Sequence, residues 1–318
     1  MTKFSILIPT FNRREKLCVV LEELGKQKGI ENGEVIVGID GSTDGTEEML
    51  TRILRNVRNL RIFRIENSGR AVIRNELLKR AQGELIIFIQ DDIVVSEHWL
   101  EEHLNAHLSL RGSPPEADDE AISRIHHFIR DCFARLRRAR NDNYAVVGHM
   151  TWYPKMEVTR YMRWLEHGGH MLDFAGLKDG QEIDFWHFYM GNISIPRSLV
   201  QDLHFDESLK EYGWEDILFG YEFSRRGHKI FYSKQALAWH WDEYREEDLP
   251  SYMQKLARSA QIAQEKYPGL RLTSPWWKRA IFHVMIATGS LVWPLLPQEW
   301  RWYVTMKREF LSNISKPH

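Results

Sequence analysis

Short apolar runs alternate with amphipathic stretches along the first hundred residues. Residues 4–9 form an apolar run of strand length. Residues 14–26 place Leu17, Val20, Leu21 and Leu24 at helical spacing. Residues 34–39 predict a second strand, which ends at Asp40. The stretch Gly41-Ser42-Thr43-Asp44-Gly45-Thr46 predicts a turn. Thr46 is placed to cap a helix opening with Glu47 and Glu48, whose charges suit the positive end of the helix dipole. A third strand is expected over Leu60–Ile65, a helix over 69–81, and a β-branched fourth strand over Leu85–Ile89. Strands alternating with helices imply an α/β fold with a mostly parallel sheet and right-handed crossovers. Ligands of such sheets bind beyond the carboxyl ends of the strands. Asp40 and the cluster Gln90-Asp91-Asp92 stand at two such ends.

The pattern changes after residue 110. Gly112-Ser113-Pro114-Pro115 breaks the chain and an acidic run follows. Ile122, Ile125, Ile129, Phe133 and Leu136 then make one apolar stripe of a helix rich in arginine. Residues 111–145 are therefore expected to be a helical insertion: a solvated helix packed on the domain, or a lid or anion site. All 11 tyrosines follow residue 143, as do all tryptophans except Trp99. Such rings either fill a core or stack on sugar rings. Near the C terminus, 280–297 carries no formal charge apart from His283, and Trp, Lys and Arg flank it on both sides. It is short for a spanning helix, so 276–302 is expected to pack on the domain or lie at a membrane surface.

The chain has 318 residues and a formal net charge of -1, which removes the basic field that a nucleic-acid partner would need. Its two cysteines, Cys18 and Cys132, have no metal-like spacing, so neither a disulfide framework nor a zinc knuckle is expected. The opening apolar run is too short for a signal peptide. A cytoplasmic protein, peripheral at most on the inner face of the cell membrane, is the expectation.

Several groups could carry chemistry. Asp91 and Asp92 follow a buried strand, where oxygen ligands suit Mg²⁺ or Mn²⁺ shared with phosphate; paired aspartates also serve turns and caps. Asp44 and Thr46 suit a turn and cap. Asp40 has less structural reason to be acidic, which favours a nucleotide contact. Asn67–Asn75 opens a helix after a strand, where backbone N–H groups can meet an anion. Arg70 and Arg74 lie one turn apart and can face one site.

Taken together, these segments resemble the family 2 glycosyltransferases. The match runs in consistent order over about residues 4–241. It comprises Ser5 to Arg13, Val37 to Thr46, Asn67 to Asn75, Gly83-Glu84 with Phe88 to Asp92, Gly191 to Arg197, Phe205-Asp206-Glu207, and Tyr212 to Ile217. The resemblance implies a GT-A fold, an inverting transferase and a nucleotide-diphosphate sugar donor, a UDP-sugar before others, used with Mn²⁺ or Mg²⁺. Asp216 would be the catalytic base, with Glu215 beside it. Asp40 would meet the nucleobase near the loop holding Pro9, Thr10, Phe11 and Arg13. Asn67, Arg70, Arg74, Gln90 and Asp91 would line the donor. Asp92 and His240 would ligate the metal, and Gly191, Asn192 and Trp214 would face the acceptor, a glycan, lipid-linked or protein hydroxyl. Residues 1–245 would then be catalytic, with 1–110 the donor half and 146–245 the acceptor half, and 246–318 a C-terminal helical extension. Gln90 departs from the family, which usually has Asp there, and Gly38 stands where another Asp is common. Two alternatives are a sugar-nucleotide nucleotidyltransferase and a non-catalytic carbohydrate-binding protein. The first usually carries a Gly-rich basic loop that Thr10–Arg14 does not supply; Gln90 alone favours the second.

Overall fold

The computed structural model describes residues 3–53, 59–109, 143–167, 171–209, 213–270, 272 and 296–314. One sheet of nine strands runs through it. In chain order the strands are β1 (Phe4–Thr10), β2 (Glu34–Asp40), β3 (Leu60–Ile65), β4 (Leu85–Ile89), β5 (Ile93–Val95), β6 (Tyr144–Trp152), β7 (Glu182–Ile183), β8 (Asn192–Pro196) and β9 (Lys229–His240). The helices are α1 (Arg14–Gly25), α2 (Thr46–Ile53), α3 (Arg70–Arg80), α4 (Trp99–Ser109), α5 (Arg160–His167), α6 (Glu215–Arg225), α7 (Leu249–Lys266) and α8 (Gln298–Ile314).

The sheet order is β3-β2-β1-β4-β8-β6-β9-β5, with β7 paired to β9. β1 pairs in parallel with both β2 and β4. Helical crossovers cover both faces of these strands, which is why they are continuous apolar runs. Phe4, Ile6, Leu7 and Ile8 are all fully buried. The chain moves outward from β1 to β3 and returns on the other side of β1 as β4, so a crevice opens where the order reverses.

β8 runs antiparallel between β4 and β6, with Ile89 opposite Asn192. Its first residues therefore lie beside the last residues of β4. β5 is antiparallel to the end of β9, with Ile93 opposite His240. The turn Gln90-Asp91-Asp92 thus links the middle of the sheet to the far end of β9, and Trp241 N–H donates to the Asp92 carbonyl at 2.8 Å.

The α2 start differs from its expectation. Thr46 is the first helical residue, and Asp44 acts as the acceptor, taking bonds from the Thr46 N–H at 3.2 Å and its hydroxyl at 2.5 Å. Asp44 lies two residues before Thr46 and so reaches a free N–H of the first helical turn.

α7 and α8 pack against each other and join the same buried cluster as the sheet through Leu249, Met253, Trp302 and Met306. Gln254 donates to Glu309 at 3.1 Å across the two helices. Trp302 is 6% exposed and lies against Tyr161 and Trp164 of α5, whereas Trp300 is 55% exposed. The insertion expected at 111–145 lies outside the described residues except for its last three, which run into β6; most of the uncharged stretch 280–297 also lies outside them. Among the described residues, no helix is long and apolar enough to cross a membrane.

Candidate active site

One cleft of about 910 Å³ is lined by residues that include Gln90, Gly191, Trp214, Glu215, Asp216 and His240, and two groups of carboxylates bear on it, the first through His240. The first group gathers where β1, β4 and β9 end. Asp92 Oδ2 accepts from Arg13 Nη1 at 2.9 Å and lies 3.5 Å from His240 Nε2. Arg13 Nη2 also donates to Asp242 Oδ2 at 2.9 Å, and Lys16 Nζ donates to Asp242 Oδ1 at 2.8 Å. Ligand atoms of Asp92, His240 and Asp242 lie within 4.8 Å of one another. His240 is held by stacking on Trp152 at 5.7 Å and by contact with Tyr244.

The two adjacent aspartates have different electrostatics. Burial pushes Asp91 up to about 7, and the charge of Asp92 adds to the effect. Burial also raises Asp92, but His240, Arg13 and Lys16 outweigh it and hold Asp92 below the usual carboxylate range. Asp91 turns inward and accepts from the Phe11 N–H at 3.4 Å. It braces the loop after β1 while Asp92 carries the charge.

The second group opens α6. Gly213 has φ +97°, and a Cβ there would come 2.4 Å from Leu256 Cδ1. Trp214 follows with φ 72°, uncommon for a bulky residue. α7 holds this turn: Ser259 Oγ donates to the Gly213 carbonyl at 3.0 Å, and Trp214 Nε1 to the Leu256 carbonyl at 2.8 Å. Glu215 and Asp216 then occupy the first helical turn, where the dipole favours anions. Asp216 Oδ1 accepts from Arg74 Nη1 at 2.7 Å, and Oδ2 accepts from the Met190 N–H at 3.0 Å. Glu215 lies 3.3 Å from Arg74 and 3.7 Å from Arg70. Burial raises Asp216 above the usual carboxylate range; Arg74 opposes that and Glu215 adds to it. The Asp216 side chain remains 20% exposed.

Other expected site residues are placed as follows. Asp40 is buried at the end of β2, and its two oxygens accept the Ser68 and Gly69 N–H groups at 2.7 and 3.0 Å. It therefore has a clear structural reason to be acidic, contrary to the sequence reading, because it ties the loop before α3 to the sheet. Pro9 and Thr10 end β1, Phe11 is exposed beyond them, and Asn67 is exposed beside Gly41. Asn192, expected at the acceptor, is instead fully buried. Its Oδ1 lies 2.7 Å from Trp99 Nε1 and 2.8 Å from His103 Nε2, while its Nδ2 donates to the carbonyls of His149 and Ala236. The β6–β9 register shifts between Gly148 and Met150, and Asn192 fills that irregularity. A Cβ at Gly148 would meet the Asn192 amide at 2.3 Å.

The sequence reading missed Asp242, Lys16 and the Met190 amide. Asp242 lies two residues after His240 in extended chain, a spacing that puts side chains on one face. That spacing was the available signal.

Residues 5–155 match the family model for Glycosyl transferase family 2. That segment, just under half of the chain, is thus similar to glycosyltransferase family 2. The Bacillus subtilis (strain 168) relative "Uncharacterized glycosyltransferase YfnE" is 28% identical to this chain over 253 residues, covering 71% of it and 61% of the relative. The chain thus spans about three-fifths of that relative's length. The mannosyltransferase PcManGT of Pyrobaculum calidifontis, solved with GDP-Man and Mn²⁺, superposes with a TM-score of 0.59 at 17% identity, over 98% of this chain and 85% of that one. Residues 1–349 of Staphylococcus aureus TarS, solved with UDP, give 0.51 at 19% identity, over 98% and 89%. These likenesses establish the GT-A fold.

Proposed function

We propose that this chain is an inverting glycosyltransferase that moves a sugar from a nucleotide-diphosphate donor, a UDP-sugar before others, to an acceptor hydroxyl on a glycan, lipid-linked or protein substrate. The observation that carries the reading is the shared cleft: Asp216 opens into the same space as Gln90 and His240. Residues 1–245 form the catalytic unit in this reading, with 246–318 as an extension.

Asp216 is the base. The acceptor oxygen attacks the anomeric carbon as its proton passes to Asp216, and the bond to the nucleoside diphosphate breaks with its electrons leaving on the phosphate. A carboxylate raised by burial suits proton abstraction near neutral pH. Glu215 stays with Arg70 and Arg74 and orients the pair. Trp214 and Gly191 shape the acceptor side. Asp40 and the loop from Pro9 to Arg13 hold the nucleotide end, with Asn67, Arg70 and Arg74 beyond it.

Asp92, His240 and Asp242 fit a divalent metal. Asp92 Oδ1 and His240 Nδ1 are buried polar atoms without a hydrogen-bond partner among the described residues. Two carboxylates and an imidazole suit Mn²⁺ or Mg²⁺ shared with phosphate. When bound, the ion neutralises charge on the departing diphosphate. UDP in the TarS complex, and GDP-Man with Mn²⁺ in the PcManGT complex, support a nucleotide-sugar ligand for this fold.

The test is a panel of nucleotide sugars with Mn²⁺ or Mg²⁺, measuring release of free nucleoside diphosphate with and without chelator, alongside thermal shift. Metal-dependent release from one donor supports the assignment and names the sugar. If no donor stabilises the protein or is turned over, the transferase reading is lost.

A further inference from the structure

Arg13 bridges the two carboxylates that the proposed metal site needs. Its two terminal nitrogens each make a 2.9 Å bond, one to Asp92 and one to Asp242. Lys16, one turn further along α1, holds the other Asp242 oxygen at 2.8 Å. Two cations thus already offset two carboxylates one for one. The ion pairs are half-buried: the Arg13 side chain is about one-third exposed and Asp92 is nearly enclosed. Screening by solvent is correspondingly weak.

A divalent ion arriving alone faces two obstacles. It must take oxygens that Arg13 and Lys16 already hold, and it must sit against their positive charges. A diphosphate changes both. Its oxygens match the planar fork of a guanidinium and attract an ammonium, so both side chains gain a new partner on leaving the carboxylates. Arg13 stands at the start of α1, in the loop after β1, so a side-chain rotation suffices and the sheet need not move.

We propose that Arg13 makes this a site for a metal–diphosphate complex and not for a free metal ion: it occupies Asp92 and Asp242 at rest, and transfers to the phosphates when donor and metal enter together. The inference rests on the metal reading given above. Its consequence is reciprocal. If diphosphate frees the carboxylates for the metal, the metal tightens diphosphate binding by the same factor. Hydrolysed donor that loses its metal is likewise weakly held, because Arg13 returns to the carboxylates.

The experiment is Mn²⁺ binding to the full chain, followed by electron paramagnetic resonance of the free ion, with no nucleotide and with each common nucleoside diphosphate in turn. For the unaltered protein, the matching diphosphate should tighten Mn²⁺ by roughly tenfold or more, within the usual range of coupling between sites. Arg13→Met should bind Mn²⁺ alone about tenfold more tightly than the parent, and its coupling to diphosphate should shrink to about twofold. Lys16→Met should shift Mn²⁺ affinity the same way by a smaller factor, and serves if Arg13→Met does not fold. A merely structural role for Arg13 predicts no gain in Mn²⁺ affinity. Unchanged or weaker Mn²⁺ binding by the folded Arg13 variant, with normal coupling in the parent, overturns this inference and leaves the metal site standing. Absence of Mn²⁺ binding by the parent with every diphosphate overturns both.

Discussion

Arg74 donates a 2.7 Å hydrogen bond to Asp216 from a side chain that is only 3% exposed. A buried cation thus sits against the two carboxylates at the head of α6 and limits how far burial can raise Asp216. The pair leaves Asp216, the proposed base, raised above the ordinary carboxylate range by burial and held back by Arg74.

Replacing the proposed base should separate chemistry from binding. Asp216→Asn should lower kcat by roughly 10²- to 10⁴-fold and leave donor affinity near the parent value. In the parent, the base acts only as the carboxylate, so the rate rises with pH through its raised pKa and levels off above it. The acid limb of the kcat profile should therefore lie above the ordinary Asp value of 3.8. Retained turnover in Asp216→Asn removes the assignment.

Arg74→Met leaves Glu215 and Asp216 buried without their main counter-charge. Breaking a buried pair from one side costs about 3–5 kcal/mol, so urea unfolding should shift by that amount. Adding Asp216→Asn to Arg74→Met should cost less than the sum of the two, because the pair is coupled. Additive losses would mean that Arg74 acts elsewhere.

Asn192 is tested by stability rather than by acceptor affinity. Asn192→Ala leaves partners of four hydrogen bonds inside the sheet, each unsatisfied group costing about 1–3 kcal/mol. A loss of more than about 3 kcal/mol in chemical denaturation is expected. A variant of unchanged stability with a raised acceptor KM would return Asn192 to the acceptor.

His103 predicts an acid sensitivity. It is fully buried between Asn192 and Ser194, and burial lowers its pKa to about 4 against an ordinary 6.5. Between those values the unfolded chain binds a proton that the folded chain refuses. Stability should therefore fall as pH drops from about 6.5 to 4, by up to about 3 kcal/mol from this group. Denaturant midpoints across that window check the slope, and His103→Gln should flatten it by about that amount.

The first four strands were legible because β1, β2 and β4 are buried on both faces and the helices between them are local. β3 and β4 fall on their expected residues, and β1 and β2 each run one residue further, to Thr10 and Asp40. Arg70 and Arg74 face one site because helical spacing is a local property. The contacts that escaped the reading are distant in sequence. Asp40 is held by amides 28 and 29 residues away, and Arg13 reaches Asp242 across 229 residues. No side-chain pattern announces either contact. Asn192 occupies an irregularity between β6 and β9 that exists only once those strands have paired. The aromatic residues divided in the same way: Trp152 and Trp302 are core, whereas Trp186 and Trp214 line the cleft.

β8 lies between β4 and β6, so the unit β3-β2-β1-β4 has no finished edge at β4. A fragment ending before β8 would present β4, Leu85–Ile89, as an exposed apolar edge strand with unpaired N–H and C=O groups. Such an edge is a template for pairing with another chain. The first four strands cannot be cut out as a free-standing soluble module; during synthesis β4 must wait, about a hundred residues, for β8 to cover it.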